Sequence, residues 1–274
     1  MKIQDFYNSR QDEIILLFRE FLESDMFRCY PVLKGKTSFV ITGSIPSNHY
    51  DQYSDIDAEF FYTQEKEREE MNRIVKEYKT SLRERNIPIQ FHPAKTFKEV
   101  KKEHLTGWNN DDALREYSTA LIVLDPQSRF RKLQAQVKFY PWNVLKEKIN
   151  WLFAEAVFHY HDRYLVALMR GNDLFAEAVK LRIMKLLGNA MLMAAQKFPA
   201  FDKHLYAEIR ELGDRKLLTT IDQIMTKPVR GSSELVERLL KIVESKLIKD
   251  GWIKKQEKEY WILLRPKFKV EMVS

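Results

Sequence analysis

The run Ser38-Phe39-Val40-Ile41-Thr42-Gly43-Ser44, followed after a short interval by Asp51-Gln52-Tyr53-Ser54-Asp55-Ile56-Asp57-Ala58-Glu59-Phe60-Phe61-Tyr62, decides the fold. Phe39 to Ile41 is a short apolar run of the kind a buried strand uses, and Gly43 breaks it. The loop between the two strands holds Pro46, Ser47, Asn48 and Asp51, all turn formers. In the second run Asp55, Asp57 and Glu59 alternate with Ile56, Ala58 and Phe60. Successive side chains of a strand point to opposite faces, so this alternation predicts one acidic face and one apolar face. The order is strand, Gly-Ser turn, loop, strand.

Such an arrangement has a chemical use. Two carboxylates two residues apart on a strand project side by side, where hard oxygen ligands can hold Mg²⁺ together with substrate phosphates. A Gly-Ser turn facing them offers backbone N–H groups and a hydroxyl to phosphate oxygens. Metal ions held there can stabilise the attacking and leaving oxygens of an in-line displacement at phosphorus. Asp-x-Asp by itself is common, and a strand edge with solvated acids is its ordinary meaning. The upstream Gly43-Ser44 turn and the apolar residues on both sides make the chemical meaning the stronger one.

Gly43-Ser44, ten intervening residues and then Asp55-Ile56-Asp57 resemble the signature of the DNA polymerase beta-type nucleotidyltransferases. The fuller string from Gly43 through Asp51-Gln52-Tyr53-Ser54 to Asp57 is most similar to the small-molecule branch, which includes lincosamide and aminoglycoside nucleotidyltransferases. The resemblance is specific from Thr37 to Tyr62 and diffuse beyond. It implies that Asp55 and Asp57 bind metal, that Gly43 and Ser44 seat a nucleoside triphosphate, and that the acceptor is a small molecule. Antibiotic resistance follows from the resemblance alone. The family often places a third carboxylate on a following strand, here Ile87-Pro88-Ile89-Gln90-Phe91-His92-Pro93. The candidate inward positions Pro88, Gln90 and His92 are not acidic, which puts turnover in question. Glu59 continues the Asp55/Asp57 face and is the candidate substitute. His92 has an unperturbed pKa near neutrality and the chemistry of a base, although a hydrogen-bonded structural histidine is its more ordinary role.

Composition sets the outer limits. With 274 residues, 45% of them hydrophobic and 12% aromatic, the chain can bury a sizeable core in one large domain or two modest ones. The single cysteine, Cys29, excludes an internal disulfide framework and fits a reducing cytoplasm. Asp5 and Arg10 stand where a signal peptide needs an apolar run, and no stretch approaches the roughly 18 apolar residues of a membrane-spanning helix. The expectation is a cytoplasmic protein with no membrane partner. The net charge of +7 favours anions in general. Basic and acidic residues are interleaved rather than blocked, so the charge does not single out nucleic acid as a partner.

Along the chain, residues 5–29 and 64–85 show helical apolar stripes, and Ala120 to Leu124 is an apolar strand ending in an Asp125-Pro126 turn. That strand, turn and following helix also resemble the end of the catalytic domain in the small-molecule enzymes. Lys95 to Asp112 is mixed and polar, with Gly107-Trp108-Asn109-Asn110 marking a loop. Beyond Tyr140-Pro141-Trp142 the pattern is helical. Residues 145–168 are apolar on more than one face, as in the central helix of a bundle. Asp173 is the candidate cap of a helix over 174–197. In that helix Lys180 is a candidate triphosphate contact, provided its face turns toward the cleft; Lys203 is another, because the segment around it resembles one near the nucleotide in several family members. His159 and His161 are two apart and fall on different helix faces, which argues against a joint metal site. Residues 251–264 suggest a basic, aromatic hairpin.

The expected architecture is an α/β (α+β) nucleotidyltransferase domain with a mixed sheet over 1–140, then an all-α helical bundle over 141–274 that binds the acceptor, with the active cleft between them. The expected reaction moves a nucleoside monophosphate from a Mg²⁺-bound nucleoside triphosphate, ATP or another, to a hydroxyl of a small-molecule acceptor and releases pyrophosphate. Asp55, Asp57 and Glu59 are the candidate catalytic residues, with metal on Asp55 and Asp57. Gly43, Ser44, Lys180 and Lys203 are the candidate nucleotide contacts. The alternatives are a nucleotide-binding protein that has lost catalysis, transfer to RNA or protein, and an interaction module. Acceptor identity, base preference and oligomeric state are not legible in the sequence.

Overall fold

The computed structural model describes residues 11–46, 54–85, 89–92, 95–106, 111–138, 140–200 and 202–254. They belong to two compact units, Met1–Phe139 and Tyr140–Ser274. The first is built on β1 (Ser38–Thr42) and β2 (Ile56–Tyr62), an antiparallel pair running in register from Ser38↔Phe61 to Thr42↔Asp57. β5 (Leu121–Leu124) flanks β1 antiparallel, with a register shift between Phe39 and Val40. On the other side β3 (Ile89–Phe91) and then β4 (Lys95–Thr96) flank β2, both parallel to it. The sheet is therefore mixed, in the order β3-β2-β1-β5 with β4 beside the far end of β2.

Alternation along the strands gives each face its own layer. Ile41, Ala58, Phe60 and Phe91 join one buried core with α1 (Gln11–Phe21) and α2 (Arg68–Glu84). Aromatic contacts hold that layer: the rings of Phe18 and Phe91 lie 6.4 Å apart and those of Phe21 and Tyr78 6.3 Å. α1 does not stop at Phe21 but runs on through a π-helical turn, Leu22–Met26, to Cys29. On the opposite face Phe61 meets Phe97 of α3 (Phe97–Thr106), Tyr117 of α4 (Asp111–Thr119) and Phe130 of α5 (Arg129–Val137), at centroid distances of 5.9, 5.3 and 4.8 Å. The mixed, polar sequence from Lys95, followed on to Thr119, thus supplies β4 and two helices. Its charged residues mask a sparse apolar pattern, Phe97 with Val100 and Leu114 with Tyr117, spaced three apart as a helix face requires. Asp125 closes this layer by accepting from Ser38 Oγ at 2.7 Å and from the backbone N–H groups of Phe130 and Arg131 at the start of α5.

The second unit is helical among its described residues: α6 (Trp142–Phe158), α7 (Leu165–Met169), α8 (Asp173–Ala194), α9 (Leu205–Glu211), α10 (Arg215–Thr226) and α11 (Ser233–Lys249). α6 and α7 are joined by a π-helical turn, His159–Tyr164. α8 is buried along most of its second half, and Gly188 lets α9 approach it closely, since a Cβ there would meet the Ile209 side chain at 2.5 Å. The cap of α8 is Asn172 rather than Asp173. The Asn172 side chain accepts from the Phe175 N–H at 3.1 Å, whereas Asp173 pairs with Arg230 at 2.9 Å. The expected hairpin over 251–264 and the loop residues around Trp108 fall largely outside the described residues. Among the described residues no helix is long and apolar enough to cross a membrane.

Candidate active site

The turn after β1 and the polar face of β2 form the site. Gly43 has φ +75°, a backbone conformation that an L side chain adopts at a cost. A Cβ at this position would also overlap the Asp57 carboxylate, whose Cγ would lie 3.1 Å away. Glycine is therefore required twice here, for the turn and for the close approach of Asp57. Asp57 is paired in register with Thr42 on β1 and with Gln90 on β3, so strands on both sides fix its place.

The acids of β2 descend from solvent into the sheet. Asp55 is exposed, and its Oδ2 accepts from Gln90 Nε2 at 2.5 Å. Asp57 is half-buried, with Oδ1 2.9 Å from His92 Nε2. The His92 backbone N–H donates to the Ala58 carbonyl at 3.0 Å, continuing the β2–β3 pairing one residue past β3. Glu59 is buried, at 4% exposure, and accepts from Tyr117 Oη at 3.1 Å; Lys95 Nζ donates to the same Tyr117 oxygen at 2.6 Å. The site thus has an open end at Asp55 and Gln90, a middle at Asp57 and His92, and a closed end at Glu59, Tyr117 and Lys95.

The protonation equilibria follow this geometry. The bond to Asp57 raises the His92 pKa above the ordinary imidazole value; burial opposes the rise, and the Asp57 and Glu59 charges add to it. Burial raises Glu59 above the ordinary carboxylate value, against the pull of Lys95, His92 and the Tyr117 hydroxyl.

Gly43, Ser44, Asp55, Asp57 and Glu59 all lie in the first unit, on this turn, on β2 and, for Asp55, on the residue just before it. Glu59 shares the acidic face, yet its carboxylate is enclosed and engaged with Tyr117, so its position is that of a buried support rather than an open ligand. Lys180 does not present an open ammonium. It is 1% exposed in the second unit, its Nζ pairing with Glu177 at 2.7 Å and lying 3.5 Å from the Ile224 carbonyl. Lys203 is exposed in the turn before α9, also in the second unit. Gln90 and His92 reach toward the acids, as inward positions of that strand should; Pro88 lies outside the described residues. Tyr117 and Lys95 were not anticipated. Nothing local in the sequence ties Tyr117 to a carboxylate 58 positions earlier.

The donor set suits Mg²⁺ with a phosphate ligand. Such ions commonly take one or two protein carboxylates and complete their shell with water and phosphate oxygens. Asp55 and Asp57 would supply the two carboxylates; among the described residues no group of three or more His, Cys, Asp or Glu is placed to hold a metal ion. Gly43, held clear of a Cβ, leaves the Asp57 carboxylate room against the turn. Thr42 Oγ1, buried beside this pair without a hydrogen-bond partner, is a spare donor at the same place.

No family model matches the chain, and no curated protein matches it. Among solved structures it is similar to a nucleotidyltransferase-like protein from Exiguobacterium sibiricum 255-15, with a TM-score of 0.52 at 12% identity over 85% of this chain and 77% of that one. At that identity the likeness concerns the fold. The chain has the fold of a nucleotidyltransferase-like protein: a mixed α/β sheet with a helical unit.

Proposed function

We propose that this chain is a metal-dependent nucleotidyltransferase that moves a nucleoside monophosphate from a nucleoside triphosphate to a hydroxyl of a small acceptor, releasing pyrophosphate. The observation that carries the proposal is the placement of Asp57 between the Gly43 turn and His92, with Asp55 next on the same strand face. On this account Asp55 and Asp57 hold Mg²⁺, and the Gly43-Ser44 turn receives phosphate oxygens at its N–H groups and hydroxyl. When bound, the ion would neutralise charge on the phosphate oxygens during displacement. His92 orients Asp57 in the place where a third acid would add negative charge, and Gln90 does the same for Asp55. Glu59 acts from behind, holding Tyr117 against the sheet. The helical unit serves acceptor recognition, and the small-molecule branch, with an antibiotic as one acceptor class, is the source of that assignment.

Replacing Asp57 with Asn removes a charge from the metal pair while keeping the shape. Asp57→Asn should abolish pyrophosphate release with the far-ultraviolet spectrum unchanged. An unaltered rate would remove Asp57 from the mechanism.

A second account is favoured by one observation: the strand beside β2 offers Gln90 and His92 where an acid is expected. On that account the chain binds the metal nucleotide without turning it over. Binding of a nucleoside triphosphate with no pyrophosphate release across an acceptor panel would select it.

A further inference from the structure

Thr42 ends β1, one residue before the Gly43 turn, and is paired in register with Asp57 across the β1–β2 ladder. Paired residues of antiparallel strands project to the same face, with Cβ atoms about 4.5–5.5 Å apart. Thr42 therefore stands on the face that carries Asp55 and Asp57. It is only 1% exposed, and its Oγ1 is buried with no hydrogen-bond partner. Buried side-chain polar atoms are paired in the large majority of cases, so an orphan hydroxyl next to a catalytic acid requires a reason.

The Asp57 carboxylate supplies one. Oδ1 is taken by His92 Nε2 at 2.9 Å, and Oδ2 lies against the Gly43 backbone, where a Cβ would collide with it. In this arrangement neither oxygen is bonded to Thr42. A carboxylate that binds a metal is usually fixed by outer donors, and loss of such a donor typically costs about 10–100-fold in metal affinity. A threonine hydroxyl can rotate to donate to whichever oxygen comes within reach.

We infer that Thr42 is a positioning residue for Asp57, its hydroxyl donating to the Asp57 carboxylate when that side chain turns to engage a divalent cation carried with a nucleoside triphosphate. The inference rests on the proposed metal-nucleotide site. Because Oγ1 is enclosed, Thr42 acts through Asp57 and does not touch substrate. A threonine present only for its strand preference makes a different prediction, since valine would then replace it without consequence in either state.

The test compares wild type, Thr42→Val and Thr42→Ser as full chains. Thermal unfolding is followed without ligand, and calorimetric titration with ATP, GTP, CTP and UTP is repeated over a range of Mg²⁺ concentrations. Valine keeps the shape and removes the hydroxyl, so unliganded Thr42→Val should melt no lower than wild type. It should need roughly tenfold more Mg²⁺ for half-maximal nucleotide binding, the lower end of what loss of an outer-shell partner does to metal affinity. Thr42→Ser should restore the wild-type requirement. An unchanged Mg²⁺ requirement in Thr42→Val would overturn the role of Thr42 and leave the nucleotide site standing. A marked loss of unliganded stability would also overturn it, by showing that the hydroxyl is already paired. Absence of nucleotide binding by wild type would overturn the site and the role together.

Discussion

Gly43→Ala should damage the site through Asp57, and the two contributions to its cost can be separated. The backbone at Gly43 has φ +75°, where an alanine costs roughly 1–2 kcal/mol more than a conformation it prefers. The new Cβ would also fall 3.1 Å from Asp57 Cγ and 3.2 Å from Asp57 Cβ, inside the ~3.5–4.0 Å of ordinary carbon contacts. Turning Asp57 away relieves the overlap but breaks its bond to His92. Both side chains are partly solvated, at 29% and 41%, so that bond is worth about 1 kcal/mol rather than the upper range for a charged pair. The sum is roughly 2–3 kcal/mol. Urea denaturation of wild type, Gly43→Ala, Asp57→Ala and the double variant would measure it. In the Asp57→Ala background only the backbone part should remain, roughly 1–2 kcal/mol, which leaves a coupling of about 1 kcal/mol between the two sites. In Gly43→Ala the His92 imidazole resonance should also titrate at lower pH than in wild type. Additive losses together with an unmoved His92 titration would refute the close approach of turn and carboxylate.

Three further outcomes follow from the same geometry. Because the folded-state pKa of His92 is raised, its pairing with Asp57 stabilises the fold fully below the unfolded value of about 6.5 and loses that effect as pH rises through the folded value. Asp57→Asn should accordingly lose more stability at pH 6 than at pH 9, measured by urea midpoints, and an equal loss at both would contradict the pairing. Glu59 is also raised, by burial, so its favourable contribution is present below about pH 4.5 and disappears as pH climbs through its folded value. Glu59→Gln, which keeps an acceptor for Tyr117, should gain on wild type in melting temperature from pH 4 to pH 8; a constant difference would show that Glu59 ionises freely. Lys180→Met should lower the stability of the helical unit by about 1–2 kcal/mol through loss of its buried bonds, while nucleotide affinity stays at the wild-type value. A selective loss of affinity at unchanged stability would return Lys180 to the list of phosphate contacts.

The parts legible in the sequence were those governed by neighbours along the chain. Gly43 after an apolar run, and the strict alternation from Asp55 to Phe60, describe a turn and a two-faced strand because both depend on local backbone geometry. The positions of Gln90 and His92 were legible for the same reason, since one strand's periodicity states which residues point inward. Partners across the fold were not. The link from Glu59 to Tyr117 and Lys95 depends on α4 packing over the far side of β2, and nothing within helical or strand spacing announces it. Lys180 shows the other limit: helical periodicity assigns a residue to a face, but the packing of α10 and the place of Glu177 decide whether that ammonium meets solvent. The two short helices after β4 were obscured because their apolar residues are few and charged residues fill the intervals.

The central claim is that Asp55 and Asp57 hold a metal-bound nucleoside triphosphate against the Gly43-Ser44 turn. Its most direct test is calorimetric titration of ATP, GTP, CTP and UTP, with and without Mg²⁺, into wild type and into an Asp55→Asn, Asp57→Asn double variant. The claim predicts Mg²⁺-dependent binding of at least one triphosphate by wild type and its loss in a double variant that remains folded. Binding that persists without the two carboxylates, or no binding by wild type, would contradict it.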